Sequence, residues 1–281
     1  KDIKLDINKW IYYELVKTNE AAKIHISNFR FDEAAKVIYQ FVWHSYCDWY
    51  IEFLKPIFDT KNLKNIEEAR AFAAYIQSSI LIMLHPFIPF FTEKLWQDLK
   101  LDKNLKSSLM HKSWDLPVKI TTTSKKTHSK IDWLIKLITL IRSAKVDLDV
   151  SPGSFIDISI KDLKKDKKII INDNLNLFKR LARITNIYDN KIEKNGINIV
   201  VGLESICVYF DKNINLSQQK IKISNKIKDL SNIIINLKKK LDNKSFLKNA
   251  PKTIVLKEKN HLSNCVIELK KLNSIANSIK N

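Results

Sequence analysis

The sequence predicts a mainly α protein in three parts: a helical bundle over 1–150, a small α+β connector over 151–213 and an antiparallel coiled-coil hairpin over 214–281. Three observations carry this. Only 3 Gly and 6 Pro occur in 281 residues that are 45% hydrophobic, which favours long helices over tight turns. Apolar residues recur every three or four positions through the first half and again near the end. Between those stretches, after Gly153, the period drops to the two of a strand.

In the bundle, Ile7, Ile11, Leu15 and Ala22, with Trp10 and Ile26 beside them, predict a first amphipathic helix over 6–27. The second opens at Phe31, with Asp32 and Glu33 at the positive end of its dipole. Ala34, Ile38, Phe41, Val42, Trp49, Tyr50 and Phe53 give it a wide apolar face, and Pro56 is expected to end it. So dense a run of rings makes this helix the expected centre of the bundle. A third helix is predicted over 65–84, capped by Asn65 and burying Ala69, Phe72, Ala73, Ile76, Ile80 and Met83. Pro86 and Pro89 then interrupt the path, and a short fourth helix resumes near Thr92 and Glu93. Residues 101–130, with Lys125 and Lys126, read as polar loop, and Leu134, Leu137, Ile138 and Ile141 predict a fifth helix over 131–148.

In the connector, Phe155, Ile156, Ile158 and Ile160 predict a strand, 174–182 a helix, 184–188 a second strand, and 197–201 with 206–210 a hairpin through Gly202 and Glu204. Some 60 residues are too few for an enzyme of its own. Beyond it, Ile223, Ile227, Leu230, Ile234, Leu237 and Leu241 alternate steps of 4 and 3, the seam of a coiled coil. Val255, Glu258, Leu262, Cys265, Leu269, Leu272, Ala276 and Ile279 continue it on a returning arm, weakly at Glu258 and Ala276, and Pro251 is placed to open that arm.

A net charge of +19 with a pI near 9.6 implies an anionic partner, nucleic acid first. The hairpin alone holds 15 Lys against 4 acids, hence +11. Its seam uses the apolar residues, so the lysines project outward, as suits a duplex backbone rather than bases. The excess of Lys, Asn and Ile also fits a gene of biased base composition. Cys47, Cys207 and Cys265 are widely spaced, which suggests neither a zinc cluster nor a disulfide framework and fits a reducing cytosol. No apolar run reaches about 18 residues, so no membrane partner is expected. The six histidines form no metal pattern. His85 reads as a core or capping residue and Asp48 as a structural carboxylate bonded by another helix. No catalytic, metal-binding or cofactor-binding residue is expected in this chain.

Several strings carry a family resemblance. R-F-D-E-A from Arg30, F-V-W from Phe41 and C-D-W-Y-I-E from Cys47 resemble the anticodon-binding bundle of the valyl-tRNA synthetases, a family of class Ia aminoacyl-tRNA synthetases. L-H-P-F-I-P-F-F-T-E-K-L-W from Leu84 resembles a segment shared with the leucyl and isoleucyl enzymes. Arg142, Val150 and Pro152 match the family pattern I-R-x-x-R-x-E-x-x-V-x-P, with Lys145 and Asp147 in place of its second Arg and its Glu. Leu241, Asn243, Phe246, Ala250 and Pro251 match the turn of the family's C-terminal arm. The resemblance implies a C-terminal piece of a longer ATP- and Mg²⁺-dependent ligase. Neither an H-I-G-H-like nor a K-M-S-K-S-like string is present, nor the W-N-A-x-R-F segment that supplies much of the family's anticodon contact. It further implies tRNA(Val) as partner, a cytoplasmic monomer, and Arg30, Arg142, Lys145, Lys238, Lys239, Lys240, Lys244, Lys248 and Lys252 as residues facing RNA. Two alternatives stay open: an isoleucyl or leucyl relative, and a scaffold whose hairpin pairs with a partner helix at its weak seam positions.

Overall fold

The computed structural model describes residues 3–101, 108–114, 122–147, 150–190, 196–201, 204–209, 216–243 and 252–278. By packing, the chain divides into two units, Lys1–Ile135 and Lys136–Asn281.

In the first unit, α1 (Asp6–Ser27) forms as its spacing predicts and buries Ile7, Ile11, Leu15 and Ala22. A single oxygen of Glu68 accepts from the main-chain N–H groups of Lys4 and Leu5 and from Asn8, satisfying donors at the start of α1. The aromatic run is one continuous rod in three pieces: α2 (Phe31–Gln40), a π-helical stretch (Phe41–Tyr50) and α3 (Ile51–Phe58). In the π stretch hydrogen bonds reach five residues back, so each turn takes more residues. Phe41 and Tyr50, nine apart, therefore both face inward, where 3.6 residues per turn would set them on opposite sides. The rod continues past Pro56, where the sequence expectation ends it, and stops two residues later at Phe58.

Helix α4 (Leu63–Leu84) starts two residues earlier than predicted, and its cap is Asn62, whose side chain accepts from Asn65 N–H at 3.2 Å. Pro89 opens α5 (Pro89–Asp98) at its first turn instead of breaking a helix. His85 caps locally as expected, with Nδ1 2.8 Å from the Thr92 hydroxyl. A 3₁₀ turn at Leu109–His111 seats Leu109 against Leu81 and Trp96.

Helix α6 (Thr122–Asp147) begins nine residues before the predicted fifth helix and so takes in Lys125 and Lys126, read from sequence as loop. Its polar first turns show no apolar period; what holds them is tertiary. His128 bonds Glu14 at 2.6 Å and stacks on Tyr13 at 4.2 Å, and Thr127 is buried.

In the second unit, β1 (Ile156–Ser159), α7 (Lys165–Asp173), α8 (Leu175–Ala182) and β2 (Ile184–Tyr188) make a parallel crossover. Helix α7 was not predicted; it buries Ile170 and Ile171. Strands β3 (Gly196–Val201) and β4 (Glu204–Tyr209) pair antiparallel, and β4 pairs with β1, giving the order β2-β1-β4-β3 among the described residues. Helices α9 (Leu216–Asp242) and α10 (Lys252–Ser278) pack together, and α10 also packs on β3. The fold is thus mainly α, with a bundle, a small α+β element and a helical hairpin.

Candidate nucleic-acid interface

The α9–α10 pair is built by its seam. Ile234, Leu237 and Cys265 are buried together, with Leu230, Leu262, Val266 and Leu269 against them. With the apolar side turned inward, Lys226, Lys228, Lys238, Lys239, Lys240, Lys257, Lys259 and Lys270 are all exposed. Lys239 and Lys240 sit in the last turn of α9, where a helix dipole favours cations, and Lys238 just precedes it. Lys244 and Lys248 lie outside the described residues, as do Phe246, Ala250 and Pro251 of the expected turn. Lys252 opens α10, but its side chain is likewise outside them.

Glu258, a weak point of the predicted seam, has a partner. Its carboxylate accepts from the Lys240 ammonium at 2.6 Å across the hairpin. The hydrogen bond from Lys240 holds the Glu258 carboxyl below the usual carboxylate range.

Arg142 and Lys145 were expected beside RNA, and the structure gives their donors other acceptors. Arg142 is exposed, yet its Nε donates to Leu181 O at 3.0 Å. Lys145 is 2% exposed, and its Nζ donates to Ser154 O at 2.8 Å and Ala182 O at 3.0 Å. Burial, then the nearby Arg183 and Arg142 charges, push its ammonium down to about 8.

In the first unit, Arg30 lies at the start of α2 and is exposed. Its guanidinium donates to both Asp32 oxygens at 3.2 Å and to Glu33 at 3.5 Å. The hydrogen bond from Arg30 holds the Asp32 carboxyl below its usual range. A phosphate at Arg30 would compete with two carboxylates.

Aromatic rings off the predicted apolar face of the α2–α3 rod come together on its surface. Tyr39 and Trp43 are 60% and 53% exposed and stack in parallel, 6° between planes and 6.2 Å between centroids. On the π stretch Trp43, His44, Cys47 and Asp48 are exposed. Asp48 is thus not the interior carboxylate expected; it is exposed, and its partner is His44 on the same stretch, 3.3 Å away. A second aromatic surface surrounds a pocket of about 580 Å³ lined by Ile26, Phe31, Pro86, Phe87 and Trp114. Helical period shows which positions lie off the apolar face, but not which of the exposed rings come together. Among the described residues no group of three or more His, Cys, Asp or Glu could hold a metal ion, and no helix is long and apolar enough to cross a membrane.

Residues 8–160 match the family described as the anticodon-binding domain of tRNA ligase. The chain is also similar to proteins named valine–tRNA ligase. It is 38% identical to that of Pelagibacter ubique over 262 residues, which are 93% of this chain and 30% of the relative. To that of Agrobacterium fabrum it is 30% identical over 270 residues, 95% of this chain and 28% of the relative. With that of Buchnera aphidicola it shares 28% identity over 286 residues, 98% of this chain and 28% of the relative. The chain spans about three-tenths of the length of these curated relatives.

Proposed function

The chain belongs to the family of anticodon-binding domains of tRNA ligases, and from that premise we propose that it is the tRNA-holding C-terminal part of a valine–tRNA ligase. Similarity to ligases of that name over 93% to 98% of the chain supports the valine assignment over the isoleucyl and leucyl alternatives. The longer enzyme would attach valine to tRNA(Val) with ATP and Mg²⁺; this part would use neither and would act by grip alone, in the cytoplasm and as a monomer.

The observation that carries this reading is the lysine-covered hairpin. Its apolar residues meet in the seam, and exposed lysines run along both helices. Helices of 27 residues each reach about 40 Å at about 1.5 Å per residue, enough to follow a folded RNA backbone. Lys238, Lys239, Lys240, Lys244, Lys248 and Lys252 would meet phosphates at the outer corner of the tRNA, and the bundle would hold the anticodon stem. Arg30 and Arg142 enter this reading as secondary contacts. The Lys240–Glu258 pair speaks against the scaffold alternative, since Glu258, one of its two weak seam positions, already has a partner within the hairpin.

The test is a salt titration of tRNA(Val) binding to the 281-residue chain. Six phosphate contacts predict a loss of about a thousandfold in affinity between about 50 and 200 mM salt. A nearly flat dependence would overturn the reading.

A further inference from the structure

Lys145 is a cation that solvent scarcely reaches, 2% exposed, and it donates to two main-chain carbonyls, Ser154 O at 2.8 Å and Ala182 O at 3.0 Å. Burying an ammonium is unfavourable unless it is well bonded. A methionine would fill the same space without that penalty, so the position asks for a donor. The acceptors show why. Leu181 and Ala182 are the last two residues of α8, whose carbonyls have no partner within the helix and lie at its negative end. Arg142, three residues before Lys145 on α6, takes Leu181 O; Lys145 takes Ala182 O. The end of α6 is thereby fastened to the end of α8.

The contacts continue from there to the hairpin. Arg183 follows α8 in the left-handed region at φ 55°, its guanidinium 5.8 Å over the Phe155 ring. Its carbonyl accepts from Ile156 N–H at 2.9 Å, where β1 begins to pair with β2. Strand β1 pairs with β4, β4 with β3, and α10 packs on β3. Every link lies within the second unit.

We infer that Lys145 is a positioning residue for RNA binding: it locks α6 to α8, and so fixes the direction in which the sheet and the lysine hairpin leave α6, without touching phosphate itself. This rests on the tRNA-binding reading of the hairpin. A phosphate ligand and a positioning residue differ in one measurable respect. Removing a ligand reduces the slope of log affinity against log salt by about 0.9, whereas removing a positioning residue lowers affinity at every salt concentration and leaves the slope alone.

The experiment uses the 281-residue chain as wild type, Lys145→Met, Lys145→Arg and Lys238→Ala. For Lys145→Met a loss of about tenfold in tRNA(Val) affinity is expected at each salt concentration, with the slope unchanged. Lys145→Arg should recover most of that loss, because it keeps the buried donors. Lys238→Ala, an exposed control, should lower the slope. A reduced slope in Lys145→Met, or an unaltered affinity, overturns the inference.

The lock has a readout free of RNA. Spin labels at 136 on α6 and 264 on α10, both exposed positions, with Cys47→Ser to remove an exposed thiol, report the distance between the two helices. That distribution should broaden in Lys145→Met and stay narrow in Lys145→Arg; the same distribution in all three chains overturns the lock. Should the Met variant fail to fold, Lys145→Gln, which keeps an N–H donor on a shorter side chain, is read by the same two measurements. Failure of the wild-type chain to bind tRNA would sink the functional reading, whereas unchanged label distances with binding intact would sink the lock alone.

Discussion

At the residue scale, buried polar groups make the sharpest predictions because each has one identifiable partner. The Tyr50 hydroxyl donates to Asn8 Oδ1 at 2.8 Å in the interior of the first unit, and Asn8 in turn donates to Glu68. Tyr50→Phe leaves that acceptor buried and unbonded, and should lower stability by about 1–3 kcal/mol in urea unfolding. Burial raises the Tyr50 hydroxyl well above its ordinary range, so this bond should persist through any pH at which the protein is handled. On the hairpin, Glu258 titrates below its ordinary value because Lys240 donates to it. A carboxyl with a depressed folded pKa stabilises above its unfolded value of about 4.5 and ceases to do so as pH falls through the folded one. The hairpin should therefore lose helicity in circular dichroism as pH drops below about 4.5, and Glu258→Gln should flatten that part of the profile.

Elements differ from their sequence prediction where a local rule met a stronger constraint. Asn65 and Asn62 both carry the side chain of a helix cap, and sequence favoured Asn65; the structure uses Asn62, which lets Leu63 and Lys64 join α4. Asn62→Ala should cost about 1 kcal/mol, and Asn65→Ala far less, when both are compared by thermal unfolding. Pro56 lies inside α3, two residues before its end, so the helix stops within a turn of the proline. The π stretch had no sequence signal at all. It arises where Phe41, Tyr50 and Phe53 all have to reach the core, and widening the turn is what brings them there. In α6 the opposite happened: polar residues 122–130 formed helix because a histidine found a carboxylate and a ring on α1.

For the whole molecule, Lys145 makes stability depend on pH in a direction that can be worked out. Its folded value is pushed down to about 8 from 10.5, so between those values the unfolded chain binds more protons than the folded one. Stability contributed by this group therefore rises with pH from about 8 to about 10.5, and the difference in urea midpoint between wild type and Lys145→Met should change over that window and be level below it. Mainly α character, with a short strand-bearing stretch after Gly153, was legible in the sequence. Periods of 3.6, 2 and 3.5 residues report which face of each element is apolar, and an element must bury that face wherever it lies. The excess of lysine over acid in the hairpin was legible for the same reason, because a seam that consumes the apolar residues leaves the charged ones outside. What the sequence could not reveal is the use to which a particular cation or ring is put. Lys145 and Lys238 look alike in a string of letters, and only the approach of α8, distant in the chain, makes one a buried donor to helix-end carbonyls and leaves the other in solvent. Composition and period fix which groups must be hidden on average; partners brought together from far along the chain decide the surroundings of each one, and surroundings decide its chemistry.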